Sequence, residues 1–154
     1  MSEWKESKLI EISDIIMGQS PSSATCNDEN IGKPFLQGCA EFSAKYPEPK
    51  YSCTDPKKIA PKDSILISVR APVGDLNIAN CGYIIGRGVS SIIPKSIDRD
   101  FLYNYILLNK DKLELVGKGS TFSAINSNDL HTFIVKYPGL NILRPHSMIV
   151  MYNL

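Results

Sequence analysis

Two glycine-flanked basic residues are the first candidates for chemistry, because glycine turns beside a cation often bind phosphate groups. The segment Gly117-Lys118-Gly119-Ser120-Thr121 departs from a phosphate loop at two positions. Lys112 stands where the motif requires its first glycine, upstream of Gly117, and Gly119 separates Lys118 from the hydroxyl of Ser120. Gly86-Arg87-Gly88 lacks the third glycine of a dinucleotide-binding turn, and it precedes a predicted strand where that turn must open a helix. Neither segment predicts a nucleotide site.

Metal-dependent nuclease chemistry has one candidate, the segment Glu48-Pro49-Lys50 with Asp28 upstream. An acidic residue and a lysine at this spacing serve many such nucleases, but only on a rigid strand that converges on a metal. Pro47 and Pro49 oppose a central strand. We therefore interpret the segment as a solvated loop.

Nucleophilic catalysis is poorly supplied with bases. The sequence contains two histidines, His131 and His146, and neither stands in a motif that would activate a serine or cysteine. We interpret His131 as a structural residue. The glycine-rich cofactor loop and the Pro-Pro-aromatic segment of methyltransferases that flip bases are also missing. We expect no catalytic residue and no bound cofactor in this chain.

The four cysteines do not form the close pairs that zinc and redox sites use. They are Cys26, Cys39, Cys53 and Cys81. Together with the scarcity of histidine, this spacing predicts no metal site. The first residues are polar and mixed in charge, and no apolar run approaches a membrane span, so we expect a cytoplasmic protein. In that compartment all four cysteines are expected to be free thiols.

Length and charge limit the remaining functions. The chain has 154 residues, of which 43% are hydrophobic, and this suffices for the core of one globular domain. Its formal net charge of +1 rules out a uniformly basic surface. A nucleic-acid interface would therefore have to be a local basic patch.

The hydrophobic pattern places the elements that position the polar residues. It predicts a first helix over residues 9–16, strands over 34–38, 63–70, 76–79, 89–94 and 132–136, a long helix over 98–116 that Gly117 ends, and a helical turn at 128–130. Residues 22–33 and 41–62 are expected to be exposed loops, the second because its prolines prevent long regular elements.

Two patterns assign the core. In the strand over 63–70, Ile65, Ile67 and Val69 alternate with Ser64, Ser68 and Arg70, so one face is expected to be apolar and the other polar, with Leu66 as the exception. In the long helix, the buried stripe is expected to contain Leu102, Ile106, Leu113 and Val116. Mixed strands and helices without regular βαβ order predict an α+β domain with a twisted, largely antiparallel sheet, a few helices and long projecting loops.

Four motifs, in this order, resemble the target recognition domains of type I restriction-modification specificity subunits. They are Gly18-Gln19-Ser20-Pro21, Gly32-Lys33-Pro34-Phe35-Leu36-Gln37-Gly38, Asp63-Ser64-Ile65-Leu66-Ile67-Ser68-Val69-Arg70-Ala71-Pro72-Val73-Gly74, and Gly117-Lys118-Gly119-Ser120-Thr121-Phe122 with Ile125-Asn126 and Asp129-Leu130. Each motif alone is weak, but their order and spacing make the match specific. The resemblance runs from Trp4 to about Pro138.

The resemblance implies sequence-specific binding of double-stranded DNA without catalysis. In that family a subunit carries two such domains, each of which reads half of a split site, and long helices between them dock two methyltransferase subunits. S-adenosylmethionine belongs to those subunits, and ATP and magnesium serve a restriction subunit that cleaves DNA. We therefore expect these proteins as partners and no cofactor in this chain.

The resemblance weakens after Pro138, where the family usually continues into a long helix. Residues 139–154 contain Pro145, which would interrupt a helix. We therefore expect a recognition domain over residues 1–138 and a short tail over 139–154, in which the docking helix is truncated. A half-subunit of this kind could pair with a second copy as a homodimer.

Candidate DNA contacts come from the polar loops, two arginines and the segment after the long helix, because amide and hydroxyl groups can pair with base edges and cations with phosphates. They are Gln19, Ser20, Ser22, Lys33 and Gln37, then Lys45, Tyr46, Lys50, Tyr51 and Ser52, then Arg70 and Arg87, and finally Lys118, Ser120 and Thr121. For each one an ordinary solvated residue is the alternative. For Arg70 it is a structural ion pair, and for the last three a capped loop that closes the sheet.

Two other functions stay open. The chain could be the recognition domain of a single-chain restriction and methyltransferase enzyme. It could also be a non-catalytic adaptor whose tyrosine- and proline-rich segment binds a protein. Binding that does not weaken as salt rises would favour the adaptor, because phosphate-dominated binding must weaken.

Overall fold

A computed structural model describes residues 3–119 and 123–139, and it confirms the predicted α+β class. The strands are β1 (Trp4–Lys8), β2 (Ser13–Met17), β3 (Cys26–Asn27), β4 (Lys33–Leu36), β5 (Tyr51–Cys53), β6 (Ile59–Ala60), β7 (Ile65–Ser68), β8 (Leu76–Ile78), β9 (Tyr83–Ile85), β10 (Val89–Pro94) and β11 (Ile134–Pro138). The α-helices are α1 (Leu9–Ile12), α2 (Arg99–Leu108), α3 (Lys110–Lys118) and α4 (Ser127–His131).

The described strands form three sheets rather than the single sheet expected. Their orders are β1-β11, β2-β10-β7-β8 and β3-β5-β4-β9-β6. Every pairing among these strands is antiparallel except that of β4 with β9, which is parallel. The largely antiparallel character was thus predicted correctly, while the division into sheets was not.

The four-stranded sheet is buried on both faces, which corrects the expected polar face of β7. Ile65 and Ile67 pack in one cluster with residues of the helices, whereas Leu66 packs in a second cluster with residues of the five-stranded sheet. Leu66 therefore does not break the pattern of a half-exposed strand, because both sides of β7 are core. Ser64 and Ser68, expected on a solvated face, are only 2% and 1% exposed.

Four of the five strands of the five-stranded sheet are too short to leave a sequence pattern. β3, β5, β6 and β9 have two or three residues each; the first three fall in segments that were expected to be loops, and no strand was predicted at β9. Their pairing with β4 or with each other fixes them. The expectation of an exposed loop over residues 41–62 was therefore wrong for β5 and β6, although neither is a long regular element.

The helices differ from expectation at two places. The first helix ends at Ile12, and residues 13–17 form β2 because they pair with β10, as in the register of Ile15 with Ile92. The long helix is divided at Asn109, whose side-chain amide donates a 2.8 Å hydrogen bond to the Tyr105 carbonyl. Leu102, Ile106 and Leu113 are buried as predicted, but this division leaves Val116 46% exposed.

A disulfide overturns the expectation of four free thiols. Cys26 in β3 lies directly opposite Cys53 in β5, and the two are joined across 27 sequence positions. Cys39 and Cys81 are free. Only the pairing of two strands of the five-stranded sheet brings the first pair together, so spacing along the sequence did not indicate it.

The two-stranded sheet joins the two ends of the described fold. β1 and β11 pair from Trp4 with Pro138 to Lys8 with Ile134, and the Gly139 amide donates a 2.8 Å hydrogen bond to the Glu3 carbonyl. The predicted tail, apart from Gly139, lies outside the described residues. Within the described ranges, no helix has the length and apolar character that crossing a membrane requires.

Candidate nucleic-acid interface

Several strands end at the same place, and their loops form one continuous surface. β2 and β7 end where β10 begins, as the registers of Met17 with Ser90 and of Ser68 with Val89 show. The parallel strands β4 and β9 end beside each other, at Leu36 and Ile85. We call the segments that follow these ends the strand-end platform and define it as residues 18–20, 37–38, 69–71 and 86–88.

Backbone hydrogen bonds hold the platform together. The Gly18 amide donates to the Val89 carbonyl at 2.9 Å, and the Gly88 amide donates to the Gln37 carbonyl at 3.1 Å. The Val69 amide donates to the Gly88 carbonyl at 3.0 Å. Gly88 therefore links the segment of Gln37 to that of Arg70.

Close backbone packing requires glycine at two positions of the platform, Gly18 and Gly88. A Cβ atom on Gly18 would lie 1.9 Å from the Gly86 carbonyl oxygen, and one on Gly88 would lie 2.6 Å from the Gln37 carbonyl oxygen. Contacts this short leave no room for a side chain. The glycines around Arg87, which the sequence offered as a weak phosphate motif, instead bring separate segments into contact.

Three of the predicted contact residues meet directly on the platform. The Ser20 hydroxyl accepts a 3.2 Å hydrogen bond from the Arg87 amide, and it lies 3.3 Å from Oε1 and 3.2 Å from Nε2 of Gln37. The side chains of Gln37, Arg87 and Gln19 are exposed. The backbone amide of Gln19 donates a 3.0 Å hydrogen bond to the Ile85 carbonyl. The structure thus gathers Gln19, Ser20, Gln37 and Arg87 from three distant segments.

Arg70 extends the platform on its other side. Its side chain is exposed and forms no ion pair with any described residue, so the alternative of a structural ion pair finds no support there. The buried Ser68 hydroxyl lies 2.7 Å from the Arg70 carbonyl and 2.6 Å from the Pro72 carbonyl, which fixes the turn. The sequence analysis placed Ser68 on a solvated face and missed this supporting role. The signal was present, because a serine shortly before the turn over residues 70–72 can bond to the turn carbonyls.

Lys118 adjoins the turn that follows Arg70. It is exposed at the end of α3 and lines a cleft of about 210 Å³ with Ala71, Pro72 and Ser123. Ala124, next to this cleft, forms a β-bridge with Arg70. The predicted contacts Ser120 and Thr121 lie outside the described residues.

Lys50 and Tyr51 lie at the start of β5, near the platform. Tyr51 is 49% exposed and stands opposite Phe35, two residues before Gln37. Lys33 is exposed at the other end of β4, opposite Cys53 and about 13 Å along the strand from Gln37. Ser22 is exposed beside the turn over Ser23–Thr25, which leads into the disulfide strand.

The other predicted residues of the second loop are not near the platform. The Lys45 carbonyl accepts a 2.8 Å hydrogen bond from Ile78, at the end of β8 that is farther from the platform, and the Lys45 ammonium lies 5.2 Å from the centre of the Tyr46 ring. Ser52 is buried, with only 6% of its surface exposed. Because a buried hydroxyl cannot reach DNA, we leave Ser52 out of the candidate interface.

Four cations of the candidate interface are unpaired among the described residues, as are Lys62 and Lys112 elsewhere, whereas other cations form ion pairs. Lys33, Lys50, Arg70 and Arg87 form no ion pair with a described residue. By contrast, Lys95 pairs with Asp14, Arg99 with Asp63 and Asp100, and Lys136 with Glu6. A local excess of positive charge on a nearly neutral chain is what phosphate binding requires. The described residues include no group of three or more ligands placed to hold a metal ion.

Comparison with known proteins identifies relatives over most of the chain. The family model of the type I restriction modification DNA specificity domain matches residues 1–144. The chain is 45% identical over 128 residues to the putative type I restriction enzyme MjaX specificity subunit of Methanocaldococcus jannaschii, a match that covers 82% of this chain and 30% of that protein. It is 33% identical over 85 residues to the MjaIX specificity subunit of the same organism, which covers 53% and 19%.

Solved structures have the same fold. One, from work on complex assembly and conformational transition of the type I R-M system, is 42% identical with a TM-score of 0.81, covering 89% of this chain and 34% of that one. The HsdS subunit of Thermoanaerobacter tengcongensis is 40% identical with a TM-score of 0.78, covering 88% and 33%. The S subunit of M. genitalium, at 14% identity, 89% and 35% coverage and a TM-score of 0.69, shows the fold alone.

The chain spans about a third of the length of the specificity subunits that it matches best among these. The family model nevertheless covers nearly all of it, and the predicted motifs, the fold and the relatives agree. This chain belongs to the family of type I restriction-modification DNA specificity domains.

Proposed function

We propose that this chain binds double-stranded DNA in a sequence-dependent way and that the strand-end platform reads the bases. One observation carries the proposal: Gln19, Gln37, Arg70 and Arg87 come from four distant segments, yet all are exposed at the same end of two packed sheets. Residues that serve only solubility have no reason to converge in this way.

The side chains on the platform have the chemistry of direct readout. Arginine pairs with two acceptors of guanine in the major groove, and glutamine with a donor and an acceptor of adenine. In this proposal Lys50, directly before β5, and Lys33, at the start of β4, contact phosphates, which hold the register but carry no sequence information. Lys118 would extend that contact line on the side of Arg70.

The platform is also rigid, and recognition benefits from this. Its segments are fixed by backbone hydrogen bonds and by the close packing of Gly18 and Gly88 against neighbouring backbone. A reading side chain on such a support loses little conformational entropy when it binds. Specificity therefore resides on a stable scaffold and not on loops that must first become ordered.

In this proposal the chain itself catalyses nothing and binds no cofactor. The membership of the family supports a division of labour in which methyltransferase subunits carry S-adenosylmethionine, and a restriction subunit uses ATP and magnesium. The chain acts with them in the cytoplasm, where its DNA lies. Turnover by the purified chain with all three cofactors, surviving further purification, would contradict this.

The test is selection of a randomised duplex library by the purified chain, with sequencing of the bound fraction. Non-specific dissociation constants of roughly 10⁻⁴ to 10⁻⁶ M set the protein concentration. We expect enrichment of a short motif and binding that weakens as salt rises. The Lys50→Ala variant should reduce the slope of log affinity against log salt by about 1 without changing the motif.

The matched control is Lys95→Ala, because Lys95 follows the end of β10 that is farthest from the platform. It should leave both the slope and the motif unchanged. A bound fraction without sequence enrichment would overturn the proposal. Binding of proteins that does not respond to salt would favour the adaptor instead.

A further inference from the structure

We infer that Ser20 does not itself read a base but positions Gln37, so that Gln37 reads two neighbouring base pairs by one hydrogen bond each. The inference rests on the proposed function and deepens it. It assigns different roles to two residues that sequence reasoning had treated alike.

The Ser20 hydroxyl is fully occupied. A serine hydroxyl offers one donor and two acceptor positions. The Arg87 amide takes one acceptor position, Nε2 of Gln37 lies at 3.2 Å from the second, and the hydroxyl hydrogen reaches Oε1 of Gln37 at 3.3 Å. Nothing of Ser20 is left for a base, which makes it a positioning residue.

The same contacts decide what Gln37 can offer to DNA. Ser20 is almost equidistant from Oε1 and Nε2 and so occupies the edge of the amide that pairs with adenine. An amide has two acceptor and two donor positions. The one acceptor and one donor that remain point away from each other on the flanks of the amide, so they reach adjacent base pairs and not one base.

A contact with Gly86 also holds the side-chain amide of Gln37 in place. A Cβ atom on Gly86 would lie 2.7 Å from Oε1 of Gln37 and 3.2 Å from its Cα atom, so Gln37 packs closely against Gly86. The Gly88 amide fixes the main chain of Gln37 through its carbonyl at 3.1 Å. Gln37 is thus held at its backbone, along its side chain and at its amide, while it stays exposed.

The experiment compares library selections by the unmodified chain and by Ser20→Ala, Ser20→Thr and Gln37→Glu. We expect Ser20→Ala to reduce discrimination by roughly threefold to tenfold at each of two adjacent positions, the value of a single hydrogen bond. The rest of the motif and the salt slope should not change. Ser20→Thr keeps the hydroxyl and should restore both preferences, and Gln37→Glu, which loses the donor, should change one position of the two.

A matched serine provides the control. Ser96 is exposed beyond the far end of β10, and Ser96→Ala should leave every position of the motif unchanged. A Ser20→Ala variant that keeps the full motif, or that weakens all sequences equally together with its melting temperature, would overturn the inference. If Ser20→Ala loses its preference at one position only, Gln37 does not read two neighbouring base pairs. A motif-free selection by the unmodified chain would instead remove the proposed function itself.

Discussion

The backbone amide of Val69 donates a 3.0 Å hydrogen bond to the carbonyl of Gly88. Because each of these residues is next to an exposed arginine, the bond places Arg70 and Arg87 on neighbouring segments of one surface. Neither arginine has an ion-pair partner among the described residues.

Replacing Arg87 with lysine should separate base reading from charge. Lysine keeps the positive charge but cannot form the bidentate pair that arginine forms with guanine. We expect a loss of about 1 to 3 kcal/mol of discrimination at one base pair, with the salt slope unchanged. Library selection and salt titration measure the two quantities. Arg99→Lys, in the ion-paired cluster near the far end of β10, is the control and should leave the motif intact.

The Ile67→Ala variant should lose stability without changing the DNA preference. Ile67 is fully buried in the cluster between the four-stranded sheet and the helices. The cavity should lower the free energy of unfolding by about 2 to 5 kcal/mol. Urea denaturation measures this loss, and library selection on the folded fraction tests the preference. A new motif from this variant would mean that the core and the reading surface had been assigned the wrong way round.

Two glycines with opposite surroundings test the close packing of the platform. A methyl group at Gly18 would meet the Gly86 carbonyl oxygen at 1.9 Å, whereas nothing lies within 4 Å of one at Gly38. Gly18→Ala should therefore lower the free energy of unfolding by about 1 to 3 kcal/mol, the range typical of overpacking, or by more. Gly38→Ala should stay within about 1 kcal/mol of the unmodified chain. Equal melting temperatures for the two variants would refute this account.

The sequence predicted elements that carry a full pattern. β7, β8, β10 and the turn of α4 were recognised from their hydrophobic pattern, and the structure adds a cap on α4, where the Asn126 side chain accepts from the Asp129 amide at 2.8 Å. β5 and β9 were missed because they lie in proline- and glycine-rich segments without apolar alternation, so that only their pairing with neighbouring strands, β4 among them, defines them. The disulfide was missed for the same reason.

The candidate site could be named in parts but not assembled. Polar character and glycine content pointed to Gln19, Ser20, Gln37 and Arg87 one by one. Their adjacency depends on the register of β2 with β10 and on the parallel pairing of β4 with β9, and neither leaves a trace in spacing. The same pairings buried Ser52, which looked equally suitable as a loop residue.

The ion pair between Lys110 and Asp75 should make stability depend on alkaline pH. The hydrogen bond to Asp75 raises the pKa of Lys110 above its ordinary value of 10.5, against the opposing effect of burial. A raised pKa in the folded state stabilises the fold below pH 10.5, and this contribution disappears as pH rises through the higher value. Lys110→Met should cost about 1 kcal/mol at pH 7 to 9. The difference between the two proteins in urea denaturation should shrink above pH 10.5.

Thiol titration should distinguish the two pairs of cysteines. In denaturant without reductant we expect two reactive thiols, from Cys39 and Cys81, and four after reduction. Reduction should also lower the free energy of unfolding by about 2 to 4 kcal/mol, because the link restricts the unfolded chain. Cys26→Ser with Cys53→Ser should show the same loss without reductant. Four thiols before reduction would disprove the link.

The pairing of β1 with β11 has a consequence for how such a domain can be exchanged between proteins. Glu3 and Gly139 are hydrogen-bonded neighbours, so the first and last described residues of the fold lie side by side. A host chain could carry the whole unit in place of a hairpin tip without stretching, and neighbouring domains would not need to rearrange. Recombination at these two strands would transfer the DNA preference as an intact cassette.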